Sequence, residues 1–399
     1  MSFPKTAIFS CGFRPFFLLA SSYAVLLMGS WLFFWRGWLT LPPSLGGPIP
    51  WHIYELVYGF VLAAVIGFIT TAMTEFIEGS KQVNRWSLLI LVFLWLAGRV
   101  SFWLSGAWGI IPAAVFNLAL LANLLILLAP PIWNDPGRPH MSFVYALLSL
   151  AGIEVGFYTS GFMGMAVMPW LYAAIGIVMI LIIIALSRIS MRVINGLEEG
   201  IDLFDEEVEY LARPPRRNMA MFTIALFTVI EFITPGNNIT GWLALAASAA
   251  MLNLLNDWHI GRPLFNHWVF GLYSIYWLVA LGYLLMGVSI LSDWPMISAA
   301  RHFLTTGAIS LAVFLIMVFA GQVHSGRKLE FNRCILLGII ALVLATIFRV
   351  SMSVPYFFEY SAVFLAASAS LWVVAFTLYV ICFWKPLTEP AVDGRTGCL

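Results

Sequence analysis

Apolar residues in this chain gather into runs of about 20, each separated from the next by a polar connector. A run of about 20 apolar residues is long enough to cross the hydrocarbon core as a helix. Twelve such runs can be counted, at about 16 to 35, 52 to 73, 86 to 105, 108 to 130, 141 to 160, 165 to 187, 218 to 234, 239 to 256, 266 to 290, 301 to 320, 334 to 353 and 361 to 384. The pattern predicts an all-α polytopic membrane protein of twelve transmembrane helices. The first run follows Lys5 and Arg14 but is too long for a signal-peptide core, and no cleavage site ends it, so it reads as a retained helix.

Charge fixes the expected orientation. Of the 20 Lys and Arg residues, 16 fall in connectors on one side, only Arg36 and Arg301 fall in connectors on the other, and Arg99 and Arg349 fall inside helices. Positive connectors stay in the cytoplasm, so both termini are expected inside. Composition agrees: 62% of the 399 residues are hydrophobic, 10% are charged and the mean hydropathy is +0.94, whereas soluble domains carry about 25% charged residues. The net charge of +1 gives no footing for nucleic acid. The expected partner is the lipid bilayer, with any cytoplasmic or electron-transfer partner left unnamed. Cys11, Cys334, Cys382 and Cys398 lie far apart without CxxC spacing, which suggests neither a disulfide framework nor a thiolate zinc site.

The longest connector, 188–217, divides the chain into six-helix halves, 1–187 and 218–399. Within it Ile201, Phe204, Val208 and Leu211 recur at helical spacing opposite an acidic face, which predicts a short amphipathic helix along the cytoplasmic rim. The two halves share a pattern. Residues 52–100 and 302–350 each begin with a His, pass a basic inner connector and an Asn-Arg pair, and end in Arg-Val, with a Ser next. The spacing from His52 to Arg99 equals that from His302 to Arg349, 47 residues. A parallel internal repeat relating helices 2–3 to helices 10–11 is the expectation.

The predicted topology also gives the depth of each ionisable group. His52 and His302 open helices 2 and 10 at the outer face, and Arg99 and Arg349 lie about 6 to 9 Å inside the outer ends of helices 3 and 11. Glu55, Glu154 and Glu231 lie in the same outer half. Ionisable groups at such depth are costly and are usually paired or functional. His52, Glu55 and Gly59 share a helix face, and the missing side chain at Gly59 leaves a flat patch on which a planar ligand could lie. The remaining histidines, His140, His259, His267 and His324, fall at the inner face, as solvated loop residues or as a second metal site.

Several stretches resemble the NnrS family: "CGFRPFFLLAS" at 11–21, "WHIYELVYGFVLAAVIGFITTA" at 51–72, "LWLAGRV" at 94–100, "RHFLTTGAISLAVFLIMVF" at 301–319 and "VHSGRKL" at 323–329. The resemblance implies a twelve-helix protein of the bacterial inner membrane that carries heme and copper and serves nitric oxide metabolism or resistance to nitrosative stress. His52 and Glu55 match the ends of the family's WHxHE motif, His302 matches the histidine of HALTxGA, and His324 that of GHTGR. Tyr54 replaces the second histidine of WHxHE, the LHxGY histidine has no counterpart, and a Gly-Gly-Arg motif is absent; these departures bear on copper more than on heme.

On that resemblance the expected cofactor is one heme b, with His52 and His302 as opposing ligands, Arg99 and Arg349 toward the propionates, Glu55 orienting His52, and Tyr54 beside the iron. His324 is a further candidate metal ligand. Nitric oxide or a related small molecule is the expected ligand, and the cofactor implies redox activity, but no general base or nucleophile is legible. The competing reading is a secondary transporter that uses Glu55, Glu154 and Glu231 as coupling sites.

Overall fold

A computed structural model describes residues 7–77, 81–199, 214–256, 265–394, 397 and 398. Among these, every regular element is a helix. The long ones are α1 (Phe13–Trp35), α2 (Pro48–Tyr54 continued by Glu55–Val61 and Leu62–Phe76), α3 (Arg85–Trp103), α4 (Ile111–Asn134), α5 (Met141–Phe162) and α6 (Met168–Glu199). They are followed by α7 (Pro214–Ile233), α8 (Asn238–Leu255), α9 (His267–Leu291), α10 (Ile297–His302 continued by Phe303–Ile309 and Ser310–Val323), α11 (Arg333–Ser351) and α12 (Ser361–Thr388).

Polar residues start several of them. Asn84 accepts from Ser87 N at the head of α3, Asn237 from Ile239 N at α8 and Asn266 from Trp268 N at α9, each satisfying an amide that the first turn leaves unpaired. Pro48 opens α2, where its missing N–H costs nothing.

Eleven helices among the described residues are long and apolar enough to cross a membrane. The sequence count of twelve is therefore not met by apolarity alone. The segment expected at 218 to 234 is helical, as α7, but Pro214, Pro215, Arg216, Arg217 and Asn218 dilute its first turns and Glu231 lies near its end, so it is not one of the eleven. The amphipathic helix expected over 201–211 lies outside the described residues, and α6 runs on to Glu199.

Two compact units make up the chain. Unit 1 comprises 1–171, 316–338 and 372–399; unit 2 comprises 172–315 and 339–371. Each draws on segments from both sides of the 188–217 connector.

In unit 1, α1 packs on α2, α3 on α4 and α4 on α5. The beginning of α1 is a clamp for the end of α12. Arg14, only 1% exposed, donates to the carbonyls of Pro386 (3.1 Å) and Glu389, which lie where a helix leaves its last acceptors without amides. Two disulfides, Cys11–Cys398 and Cys334–Cys382, also lie in unit 1, contrary to the unpaired cysteines expected from spacing. Separations of 387 and 48 residues hid both pairs, because the chain ends and the ends of α11 and α12 meet only in the fold. In unit 2, α8 packs against α7 and α9, and α9 against the first turns of α10.

The internal repeat takes a more definite form in the backbone. Both α2 and α10 contain a seven-residue π-helical segment, Glu55–Val61 (ELVYGFV) and Phe303–Ile309 (FLTTGAI). The step of 248 residues from Glu55 to Phe303 also carries Leu56 onto Leu304, Gly59 onto Gly307, Asn84-Arg85 onto Asn332-Arg333, and α3 onto α11, each 19 residues long. The step from His52 to His302, and from Arg99 to Arg349, is two residues longer. In the register of the helices, His302 therefore corresponds to Tyr54 and Arg349 to Ser101.

Candidate functional site

A π segment widens the helix by one residue per turn, so residues after it face a different direction from those an unbroken α-helix would present, and such segments concentrate at functional sites. In α2 the widened turn begins at Glu55, whose carboxylate is fully buried. Its Oε2 accepts from Arg99 Nη1 of α3 at 2.5 Å and from Tyr23 OH of α1 at 2.6 Å. Trp103 Nε1 donates to the same tyrosine hydroxyl at 2.8 Å. The Gly59 carbonyl, within the π segment, accepts from Trp95 Nε1 at 3.0 Å.

Gly59 is required by this arrangement. A Cβ there would lie 2.6 Å from the Tyr23 ring, 2.8 Å from Glu55 Oε2 and 3.1 Å from Arg99 Nη1. The space beside Gly59, expected as a patch for a planar ligand, is thus filled by Tyr23 and the ion pair.

From Arg99 the network continues. Its Nη2 donates to Asn117 Oδ1 of α4, and Asn117 Nδ2 donates to Tyr158 OH of α5 at 3.0 Å. Tyr158 and Tyr54 hydroxyls are 2.6 Å apart, and Tyr54 OH donates to Glu154 Oε1 at 2.6 Å. Phe102 and Phe157 fix the Tyr54 ring in this position, stacked on it with ring centroids 4.0 and 4.8 Å away. Five helices thus supply one buried polar layer in unit 1. Asn117, Tyr158, Tyr23 and Trp103 were not among the sequence candidates. Asn117 inside the apolar run of α4 was an available signal, though one shared with Asn123, since such a group must find a partner in an apolar medium.

His52 is half-buried, with its ring stacked on Trp31 at 4.2 Å. Both Glu55 contacts described above run to Tyr23 and Arg99, and its Oε1 has no hydrogen-bond partner. In unit 2, His302 Nδ1 lies 2.7 Å from the Ser298 carbonyl. A carbonyl can only accept, so Nδ1 donates, and in the neutral ring the lone pair is then on Nε2. Arg349 Nη2 is 3.5 Å from Ser298 Oγ, which brings Arg349 and His302 to the same residue. Arg301, expected in an outer connector, instead pairs with Glu231 at 2.6 Å and lies over the Tyr172 ring at 3.5 Å.

At the other end of the helices, His324 Nδ1 meets the Cys398 carbonyl at 2.9 Å, His140 is buried at the head of α5, His267 opens α9, and His259 lies outside the described residues. Among the described residues no group of three or more His, Cys, Asp or Glu is placed to hold a metal ion.

Membrane-crossing apolar helices with a buried ion-pair layer and histidines beside π segments define a polytopic membrane protein with a polar site inside its spans. The chain belongs to the NnrS family, whose description, NnrS protein, matches residues 7–391, nearly its whole length. A nitric-oxide-related role fits that membership. No curated protein matches the chain.

The residues present can be weighed against the heme that the family implies. Imidazole is a ligand of heme iron, and His52 and His302 are both half-buried. Arg349 is placed beside His302 through Ser298 and could meet a propionate. Arg99 does not fit the role of propionate partner, because both of its terminal nitrogens are occupied by Glu55 and Asn117.

Proposed function

We propose that this NnrS-family protein binds heme b in the bacterial inner membrane and uses it in nitric oxide metabolism or resistance to nitrosative stress. The observation that carries the reading is local. Each ligand candidate closely precedes a π segment, His52 three residues before Glu55 and His302 immediately before Phe303, and His302 has its tautomer set so that Nε2 can face iron. Heme iron binds nitric oxide and passes electrons. The chain's own part is to supply the imidazoles, to orient them through Trp31 and Ser298, and to place the Arg349 charge nearby.

The absorption spectrum of the purified protein tests this. An intense Soret band is expected, lost or changed in spin state in His52→Ala and His302→Ala and unchanged in His140→Ala and His267→Ala. A colourless protein would end the reading and favour the transporter alternative, with Glu231→Gln then expected to abolish solute uptake. Arg349→Leu should lower the heme midpoint potential, because removing a nearby cation favours the more positive, oxidised iron. Arg99→Leu does not test a propionate contact, because it also leaves the Glu55 carboxylate without its cation.

A further inference from the structure

The buried layer of unit 1 contains two carboxylates and one guanidinium. Glu55 and Arg99 neutralise each other at 2.5 Å. Glu154 is also fully buried, but its contacts are to a tyrosine: Oε1 accepts from Tyr54 OH, and Oε2 has no hydrogen-bond partner. A bare carboxylate in such surroundings is far more costly than a neutral one, and one bound proton would bring the layer to neutrality.

Hydrogen-bond directions decide where that proton sits. Arg99 can only donate, so Asn117 must present its carbonyl oxygen to Arg99 and its amide to Tyr158. Tyr54 gives its single proton to Glu154, so the bond between the two tyrosines must be donated by Tyr158. The chain therefore runs one way, from Arg99 through Asn117, Tyr158 and Tyr54 to Glu154 Oε1. Oε1 is held as an acceptor, and Oε2 is the oxygen left for a proton. When that proton leaves, the same polarised chain still supports the carboxylate through Oε1.

We propose that Glu154 is a proton-binding site in the membrane-spanning part of unit 1, with the proton carried on Oε2 and with Tyr54, Tyr158 and Asn117 as positioning residues that relay the Arg99 charge. The step is the making and breaking of one O–H bond, with the proton taken from and returned to water. Groups around Glu154 are Tyr54 and Tyr58 of α2, Arg99 of α3 and Tyr158 of its own helix, with Asn117 of α4 one bond further, on Tyr158. A metal cation would need several oxygen ligands, and no group of three or more His, Cys, Asp or Glu that could hold one is found among the described residues. This assignment does not depend on the heme reading.

Infrared spectroscopy of the full-length protein in liposomes, titrated with pH in H2O and D2O, tests it. The carbonyl stretch of a buried protonated carboxyl should be present at neutral pH, shift in D2O and fall as the medium is made alkaline. It should be absent in Glu154→Gln and retained in Glu231→Gln. Tyr54→Phe removes the donor to Oε1 and should raise the frequency of the band without abolishing it, a change that general loosening of the fold would not produce. If Glu154→Gln does not fold, the wild-type titration and Tyr54→Phe decide alone. Absence of the band at every pH, its persistence in Glu154→Gln, its indifference to Tyr54→Phe, or a response to sodium or potassium in place of pH would each overturn the proposal. Heme absorbance recorded on the same samples keeps its loss separate from loss of the band.

Discussion

The π segments of α2 and α10 share their length, their Leu and Gly positions and the 19-residue helix that follows, yet the charges around them are placed differently. In unit 1 the carboxylate opens the π segment and its cation comes from the next repeat helix, α3. In unit 2 Phe303 stands where Glu55 stands, the cation Arg301 precedes the segment, and the carboxylate comes from α7. The corresponding pair is fully buried in unit 1, whereas Arg301 and Glu231 keep side-chain exposures of 15% and 9%. A backbone irregularity can thus persist while the chemistry around it changes, and burial decides how strongly each pair is bound to its place.

The largest expected effect lies in the buried pair. Arg99→Leu leaves the Glu55 carboxylate buried without a cation, and breaking a buried pair from one side costs about 3–5 kcal/mol. Thermal unfolding in detergent should show the loss. Replacing both partners, as Glu55→Leu with Arg99→Leu, should recover a large part of it because no buried charge is left over. A double variant no more stable than Arg99→Leu would show that shape and hydrogen bonds, and not the orphaned charge, dominate unit 1.

A smaller loss is expected from Gly59→Ala. The added Cβ meets Tyr23, Glu55 and Arg99 within 2.6 to 3.1 Å, and the two polar side chains cannot retreat without giving up their bonds. Overpacking of this kind costs about 1–3 kcal/mol. The same measurement on Tyr23→Phe locates the strain: if Gly59→Ala is milder in that background, the Tyr23–Glu55 bond was what resisted the new methyl.

Much of this was legible before the fold was known. Runs of about 20 apolar residues marked the helices, and the outer-half placement of Glu55, Arg99 and Glu154 pointed to paired or functional groups at that depth. Three parts were not legible. Uncharged members such as Tyr23 and Tyr158 look like ordinary residues of an apolar run. The Cys11–Cys398 pair joins the two ends of the chain across 387 residues. The repeat register was read from His and Arg, the residues whose positions have shifted, while the backbone keeps a step two residues shorter that is visible only in Leu56, Gly59 and Asn84 and their counterparts. Arg301 was assigned to a connector because α10 begins in a short helical segment, Ile297–His302, that the apolar pattern does not include in full.

Unit 2 should respond more weakly to loss of its cation. Arg301→Leu removes both contacts to Glu231 and the stacking on Tyr172, but this pair is less enclosed than Glu55 and Arg99. A hydrogen bond to a charged group contributes about 1.5–3 kcal/mol, and partial exposure should bring the loss to the lower end of that range. An effect equal to that of Arg99→Leu would remove the distinction between the two units.

The smallest effect is expected at the second π glycine, and it is the sharpest check on the comparison. A Cβ at Gly307 would meet Thr346 Cγ2 at 3.2 Å and Leu278 methyls at 3.3 and 3.5 Å, all apolar, with no ion pair in the way. Thr346 is held by its bond to the Leu342 carbonyl at 2.8 Å, so the adjustment falls on Leu278, whose side chain can turn. Replacing a helical Gly by Ala also returns about 1 kcal/mol of backbone entropy, which opposes the crowding. Gly307→Ala should therefore stay within about 1 kcal/mol of the wild type, measured beside Gly59→Ala under the same detergent conditions. Equal destabilisation at both sites would mean that a glycine is required by the π backbone itself; a large loss at Gly59 alone would trace it to the ion pair and tyrosine packed against it.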